Sequence, residues 1–294
     1  MAKQQVFIGL QINISIMNVV ITMNKKQYRV ERRFLVNLHY EINTSYSIAT
    51  GMYGTIFKAR LYPTQRGFDD ETVAKIMVAR SPDELLKEPS IQRMLCKSNG
   101  TLCPHMYFEK TFPVECTSSR SMLFGSLIVM EKMAETLQAW VGRLQTTLSE
   151  THRLLNVLCT VANRFVELNR LGVLHMDQHA ENIMSDRQCR WRFIDFGLAR
   201  KIVTGQKLHS DAYYFLVKTI LMLPRRLLAN SRLKVGLFIL LERFRLLPKD
   251  YRVLARSIPE LLQNAQECAQ SALKLLRGER RSAWLSRGCR SNLK

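Results

Sequence analysis

The feature that most constrains the fold of this chain is a change of sequence pattern near Met133. Before it, short β-rich runs separated by turn residues predominate, and the runs 45–50 and 55–61 flank a pair of glycines. After it, residues 148–171 carry apolar side chains at helical spacing, which predicts one long amphipathic helix. From Asp211 onward the pattern again predicts helices. The sequence therefore predicts an α+β protein in which a strand-rich part precedes a helix-rich part.

Local signals place several further elements. Ser81 followed by Pro82 predicts the start of a helix, because serine is a good N-cap and proline fits the first helical position. Pro89 predicts that this helix is kinked or restarts there. The apolar run 235–241 is too short to cross a membrane and predicts a buried helix. Further strands are predicted at 71–79, 123–130, 173–174 and 192–194.

The charge of the chain is large and uneven. Lys and Arg number 44 against 24 Asp and Glu, which gives a formal net charge of +20. Residues 201–294 alone hold 19 basic and 6 acidic residues. Such an excess predicts contact with a polyanion, whether nucleic acid, an anionic membrane or an acidic protein. The other interpretation is a solvated basic face followed by a soluble basic tail at 277–294.

The cysteines and the N-terminus indicate an intracellular protein, either cytoplasmic or nuclear. The seven cysteines are scattered and none forms a CxxC pair, so we expect reduced thiols rather than a disulfide framework or a structural zinc site. The apolar stretch 6–23 is interrupted by polar residues, so we expect a strand-like or loosely packed extension and neither a signal peptide nor a transmembrane segment.

Two signals in the strand-rich part are those of a phosphate site. Gly51 and Gly54 lie between two β-rich runs, where glycines let the backbone approach a phosphate group closely; the alternative is a plain hairpin turn. Lys75 lies inside the apolar run Thr72–Ile76. Its ammonium group either extends from a sheet edge into water or is held over phosphates by a helix carboxylate such as Glu88.

Two further signals follow in the helix-rich part. Asp177 and Asn182 are five residues apart, so that the aspartate can accept a proton from a hydroxyl while the asparagine oxygen binds a hard cation. Asp195 begins an Asp-Phe-Gly sequence after an apolar run, which suits Mg²⁺ coordination beside phosphate oxygens. The spacing between Asp177 and Asp195 leaves room for one short hairpin. His175 is interpreted as a core histidine that orients the loop.

Taken in order, these signals resemble the signature of the protein-kinase superfamily over roughly residues 45–220: a glycine-rich loop, a strand lysine, a His-x-Asp-x-x-x-x-Asn loop and Asp-Phe-Gly. The resemblance implies ATP and Mg²⁺ as cofactors, Asp177 as the catalytic base, and Asn182 and Asp195 as metal ligands. It implies that Lys75 binds the phosphates and pairs with Glu88. The remaining nucleotide-site residues that it implies are Ile48, Gly51, Gly54, Ile56, Met130, Glu131, Met133 and Met184.

The sequence departs from the kinase pattern at several points. Ala49 stands at the first glycine position, Met176 replaces the arginine that precedes the catalytic aspartate, and His179 stands where serine/threonine kinases usually carry lysine. The segment 198–208 is short, and Asp211 follows in what resembles the helix that braces the catalytic loop. This resembles compact atypical kinases: the RIO type, the small kinase of the KEOPS complex and divergent kinases of large DNA viruses. We therefore expect a viral origin.

The resemblance implies a bilobal α+β fold with a shortened activation segment. The expected domains are an N-terminal extension (1–44), a kinase N-lobe (45–130), a hinge with the C-lobe (131–276) and a basic tail (277–294). The expected function is serine/threonine kinase activity on protein substrates. A small-molecule phosphotransferase, a pseudokinase and a nucleic-acid-associated scaffold are the alternatives. The sequence predicts no oligomeric state.

Overall fold

The computed structural model describes residues 18–23, 25–36, 39–51, 54–62, 72–98, 100–202 and 210–244. The chain forms two compact units. The strand-rich unit comprises Met1–Leu86 and Met106–Lys132, and the helix-rich unit comprises Lys87–His105 and Met133–Lys294. The predicted basic tail at 277–294 and the first part of the predicted N-terminal extension lie outside the described residues.

The strand-rich unit is built on one antiparallel sheet of seven strands, in the order β1-β2-β6-β7-β5-β4-β3. A single 3₁₀ turn, Arg32–Phe34, follows the second strand. The strands are β1 (Asn18–Met23), β2 (Lys26–Glu31), β3 (Tyr40–Gly51), β4 (Gly54–Leu61), β5 (Thr72–Ala79), β6 (Met106–Cys116) and β7 (Met122–Glu131).

The hydrophobic core of this unit lies on one face of the sheet and includes the N-terminal hairpin. Ile21 and Met23 of β1 alternate with exposed residues, and Tyr28 and Val30 do the same in β2, which is the pattern of a half-buried strand. Tyr40 is fully buried and its hydroxyl donates to the Phe34 carbonyl at 3.0 Å. The sheet thus begins before residue 45, and the expected boundary between residues 44 and 45 falls inside β3.

The helix-rich unit surrounds one long central helix. Helix α3 buries a continuous stripe of apolar residues, against which α4 and α6 pack. Helix α1 passes from the strand-rich unit into this one at Lys87. The helices are α1 (Pro82–Ser98), α2 (Leu137–Arg143), α3 (Leu148–Arg170), α4 (Ser210–Met222), α5 (Arg225–Leu228) and α6 (Ser231–Phe244). The short strands are β8 (Glu135–Thr136), β9 (Val173–Leu174), β10 (Ile183–Ser185), β11 (Trp191–Phe193) and β12 (Arg200–Lys201).

Most predicted elements are confirmed, with one correction. Helix α3 occupies the predicted range, and Thr147 caps it by accepting a hydrogen bond from the backbone N–H of Glu150 at 3.3 Å. Helix α1 begins at Pro82 as predicted and continues through Pro89 to Ser98, so of the two predicted alternatives the restart is wrong and the kink stays a prediction. Strand β1 lies in the stretch 6–23, for which a strand was one of the two interpretations, whereas β2, β6 and α2 were not predicted. Among the described residues, no helix is both long and apolar enough to span a membrane.

Candidate active site

The candidate active site is built around the loop between β9 and β10, which a buried carboxylate of α4 holds in place. Asp211 is 1% exposed. One of its oxygens, Oδ2, accepts from the backbone N–H of His175 and from the Asn169 side chain, each at 2.8 Å. Its other oxygen, Oδ1, accepts from the Gln178 amide. Three buried donors therefore meet on one carboxylate, which is the bracing role that the resemblance implies for Asp211.

His175 is a fully buried member of this loop, as interpreted from the sequence. Burial lowers the pKa of His175, because the low-dielectric surroundings disfavour the imidazolium; the nearby Asp211 carboxylate opposes that shift. A neutral ring carries one hydrogen, and its Nε2 lies 3.0 Å from the Ile194 carbonyl oxygen. We therefore assign the hydrogen to Nε2. His175 then ties the loop between β9 and β10 to the residue that precedes Asp195.

Asp177 and Asn182 lie side by side in the same loop. The Asn182 amide nitrogen is 2.8 Å from Asp177 Oδ2 and 3.2 Å from the Asp177 carbonyl oxygen. The same nitrogen lies 3.2 Å from His179 Nε2, so these contacts engage the amide nitrogen of Asn182 and leave its side-chain oxygen as an acceptor. His179 Nε2 is 3.2 Å from the same Asp177 Oδ2. One carboxylate oxygen of Asp177 is thus occupied, and its other oxygen accepts no hydrogen bond from the described part of the chain.

The hairpin β10–β11 returns the chain to Asp195, as the spacing predicted. The backbone N–H of Ile194 donates to the Asn182 carbonyl at 3.0 Å, so the two candidate metal ligands are linked through the main chain. Asp195 has a φ of 60°, a left-handed conformation that is costly for a residue with a Cβ. Phe196 follows it into the core and is fully buried.

The strand-rich unit holds the other signals close together on neighbouring strands. Ile56 of β4 lies opposite Ala49 of β3 and opposite Lys75 of β5. Gly54 has a φ of 154°, and a Cβ there would lie 2.8 Å from the Ile76 carbonyl oxygen and 3.3 Å from Lys75 Cε. Only glycine fits at this position. Lys75 itself is 5% exposed, which corrects the alternative of a side chain reaching into water from a sheet edge.

The remaining predicted nucleotide-site residues divide between the two units. Gly51 pairs with Gly54 across the hairpin, Ile48 is an exposed residue of β3, and Met130 and Glu131 end β7 half-buried. In the helix-rich unit, Met133 is buried, Met184 is half-buried in β10 opposite Thr136, and Glu88 of α1 is 4% exposed. Lys75 and Glu88 belong to different units, so their predicted pairing stays a prediction.

Two residues of the loop network were missed in the sequence analysis. Asn169 is 1% exposed near the end of α3, where it donates to the Val173 carbonyl at 2.8 Å as well as to Asp211. Gln178 is 5% exposed. The available signal was an asparagine on the apolar stripe of α3, because a buried amide requires hydrogen-bond partners.

A family model described as protein tyrosine and serine/threonine kinase matches residues 42–218. The chain belongs to this protein kinase family. The match begins in β3 and ends in α4, so it includes every element that carries a candidate site residue. A search of curated proteins found no match.

Membership of the family accounts for the two units described above. The kinase has an α+β, bilobal fold with a strand-rich N-lobe and a helix-rich C-lobe, as the resemblance implied. Family membership also supports phosphotransferase activity of the protein-kinase type. The arginine that usually precedes the catalytic aspartate is replaced by Met176, which is 42% exposed and has a φ of 66°. Helix α4 begins at Ser210, only a short segment after Asp195.

Proposed function

We propose that this kinase transfers the γ-phosphate of ATP to serine or threonine hydroxyls of protein substrates in the presence of Mg²⁺. The observation that carries the proposal is the pairing of Asp177 with Asn182 on a loop fixed by Asp211. Family membership supports phosphotransfer to proteins without distinguishing serine and threonine from tyrosine. The loop residues 178–181 lack the features of tyrosine kinases, which favours serine and threonine.

In this proposal Asp177 is the catalytic base. Asn182 and His179 engage Oδ2, which leaves Oδ1 to accept a hydrogen bond from the attacking hydroxyl and to take its proton. Fixing the carboxylate in one orientation contributes to catalysis, because phosphoryl transfer depends mainly on positioning and charge stabilisation. His179 stands where serine/threonine kinases usually carry a lysine, so an imidazole takes the place of an ammonium group beside Asp177.

The donor set fits Mg²⁺. Among the described residues, no group of three or more His, Cys, Asp and Glu side chains is arranged to hold a metal ion. Mg²⁺ at nucleotide sites is usually bound by one or two protein oxygens together with phosphate oxygens and water. The Asn182 side-chain oxygen and the Asp195 carboxylate would supply those protein ligands. When bound, the ion would neutralise charge on the phosphate oxygens.

The N-lobe residues are assigned to the nucleotide. Gly54 lets the β3–β4 hairpin lie against β5 without a side chain, and Lys75 is the buried cation beside it. We propose that Lys75 binds the α- and β-phosphates of ATP and that Ile56 contacts the adenine.

The test is incubation with labelled ATP, Mg²⁺ and a mixture of acidic and basic carrier proteins, followed by phospho-amino-acid analysis. We expect phosphoserine and phosphothreonine. The Asp177→Asn variant should lose transfer while it retains nucleotide binding, whereas the matched control Asp83→Asn, on the first turn of α1, should keep both. Phosphotyrosine alone would overturn the specificity. Label only on added aminoglycoside or choline would favour the small-molecule alternative, and no transfer with intact ATP binding would favour a pseudokinase.

We further propose that the kinase is active as synthesised. Met176 stands where an arginine normally binds an activating phosphate, so a phosphorylated segment has no guanidinium there to hold it. Phosphatase treatment before the assay should leave activity unchanged. A large loss of activity after treatment would contradict this part of the proposal.

A polyanion contact through the C-lobe is a second proposal. Residues 212–241 include five basic residues and no acidic residue, and Arg225 and Arg232 are exposed. We expect heparin or RNA to bind with a steep dependence on salt, because each phosphate contact releases counterions. The variant Arg225→Ser/Arg232→Ser should bind more weakly with a shallower slope, and the control Lys25→Ser/Lys26→Ser in the N-lobe should not. Equal binding by both variants would contradict the proposal.

A further inference from the structure

Outside the candidate active site, two cysteine thiols of the helix-rich unit lie in van der Waals contact. Cys96 Sγ in the last turns of α1 is 3.5 Å from Cys103 Sγ in the segment that leads to β6. Each thiol also contacts a backbone carbonyl: Cys96 Sγ lies 3.5 Å from the Pro104 oxygen and Cys103 Sγ lies 3.7 Å from the Gln92 oxygen. The sequence alone gave no reason to pair these two cysteines.

The two thiols are held in place by independent contacts. The segment that carries Cys103 is fixed by three hydrogen bonds to its backbone: Arg164 donates to the Thr101 carbonyl at 2.7 Å, the Phe193 N–H to the Leu102 carbonyl at 2.8 Å, and Arg192 to the Cys103 carbonyl at 3.3 Å. Helix α1 is anchored by its buried residue Leu95 and by the Gln92 amide, which donates to the Pro104 carbonyl at 3.1 Å. The contact between the sulfurs is therefore a property of the fold.

The exposures of the two thiols differ. Cys103 is completely buried, whereas Cys96 is partly exposed. A small oxidant from solvent reaches Cys96 first. A sulfur oxidised at Cys96 then has a second thiol in contact with it, and a disulfide requires the sulfurs to approach from 3.5 Å to about 2.05 Å. Side-chain rotation supplies a movement of that size.

We propose that Cys96 and Cys103 form an oxidisable thiol pair, in which a peroxide converts Cys96 to a sulfenic acid and Cys103 resolves it to a disulfide. In the first step the Cys96 thiolate attacks one peroxide oxygen, the O–O bond breaks, and water leaves after protonation. In the second step Cys103 attacks the sulfenic sulfur, the S–O bond breaks and a second water leaves. The two sulfurs together lose two electrons and two protons, and one hydrogen peroxide becomes two waters.

The disulfide would join the C-terminal end of α1 to the segment bound to α3 and β11. Glu88, which the kinase resemblance pairs with Lys75, lies two turns earlier on the same helix. Oxidation would thus restrain one end of the helix that carries a candidate site residue. The inference itself rests on the thiol geometry and holds whether or not the chain transfers phosphate.

The experiment uses the full chain and hydrogen peroxide, followed by alkylation, trypsin and mass spectrometry. Trypsin cleaves after Arg93, Lys97 and Lys110, so the two cysteines fall on separate peptides that only a disulfide joins. We expect the linked pair, 94–97 with 98–110, to form and to disappear with dithiothreitol. Cys189 is exposed and reports that the oxidant acted, whereas Cys159 is buried and should stay reduced. Separate, alkylated peptides at a dose that modifies Cys189 would overturn the proposal.

The order of the two steps is tested by single substitutions. In Cys103→Ser we expect a sulfenic acid to persist at Cys96, where dimedone traps it. In Cys96→Ser we expect Cys103 to remain reduced, because it is shielded from solvent. Dimedone on Cys103 in the Cys96→Ser variant would overturn the assignment. As a measurement that needs no substitution, hydrogen exchange across 94–104 should slow on oxidation of the unaltered chain, and faster exchange there would contradict a bond that fits the folded geometry.

Discussion

Replacement of Asp211 is the sharpest test of how the catalytic loop is held. The Asp211 carboxylate accepts hydrogen bonds from Asn169, from the His175 backbone and from Gln178, all of them buried. In Asp211→Ala these three donors lose their acceptor. A buried donor left without a partner costs about 1–3 kcal/mol, so we expect a loss of about 3–9 kcal/mol. Since whole domains are stable by about 5–15 kcal/mol, the variant should be close to unfolding.

Asp211→Asn should be much milder, for a geometric reason. Asn169 and His175 both donate to the same oxygen, Oδ2, and a rotated asparagine places its single oxygen there. Its amide nitrogen then faces Gln178, whose own amide can reverse to present an oxygen. All three contacts survive without the negative charge. Charge-assisted bonds exceed neutral ones by about 1 kcal/mol each, so the loss should not exceed about 3 kcal/mol.

The assay is urea unfolding of the full chain and the two variants at neutral pH, followed by phosphotransfer measured at a temperature where each is folded. We expect both the free energy of unfolding and the phosphotransfer rate to be highest with aspartate at position 211, lower with asparagine and lowest with alanine. The larger step should lie between asparagine and alanine. Free energies of unfolding within about 1 kcal/mol for the two variants would refute the reasoning, because the three donors would then not depend on an acceptor at this position.

Three further predictions concern pH, packing and backbone strain. Burial lowers the pKa of His175 below 6.5, so near that pH the unfolded chain binds a proton that the folded chain does not. The free energy of unfolding should therefore fall as the pH drops below about 6.5. Urea titrations at pH 7.5 and 5.5 measure this fall, and His175→Gln should remove it. Gly236→Ala adds a methyl group 2.4 Å from Leu155 Cδ1. The gain of about 1 kcal/mol in helix stability should be outweighed by about 1–3 kcal/mol of overpacking. In a double-mutant cycle, the same substitution made in the Leu155→Ala background should instead be stabilising. Cys189 has a φ of 59°, so Cys189→Gly should raise the free energy of unfolding by up to about 1 kcal/mol and Cys189→Val should lower it.

The parts of the fold that could be predicted are those that short-range sequence patterns determine. The stripe of α3 repeats over enough turns to define a helix without tertiary information, and the observed range agrees with the prediction. The short hairpin between Asp177 and Asp195 could be predicted for the same reason, because β10 and β11 are close in sequence. In each case the sequence separation of the contacts is short.

The strands that were not clearly predicted have sequence patterns that also fit other structures. The alternating residues of β1 end a longer apolar stretch, 6–23, whose pattern fits both a strand and a loosely packed extension. Strand β6 contains Pro113, which normally argues against an interior strand, yet Phe112, Val114 and Cys116 are all buried on its core side. Burial of alternate residues in a seven-stranded sheet outweighed the local preference there.

The resemblance implied that Asp211 braces the loop, but its partners Asn169 and Gln178 were not predictable, because these contacts join distant parts of the chain. Asn169 and Asp211 are 42 positions apart, and no spacing rule connects a helix end to the first turn of another helix. The sequence indicated candidate residues for the chemistry. Only the structure shows that Asn169 and Gln178 share the carboxylate of Asp211 with the loop backbone.

The Asp211 network restrains the loop in which Met176 stands in place of the usual arginine. Met176 cannot bind a phosphate, and its left-handed backbone carries a conformational cost. The residue before it is held at two points, since the His175 N–H donates to Asp211 and its ring contacts the Ile194 carbonyl. These restraints form when the helix-rich unit folds and need no modification. Loop geometry is then part of the stability of the C-lobe, so a variant that weakens Asp211 should lower activity and stability together, whereas Asp177→Asn should lower activity alone.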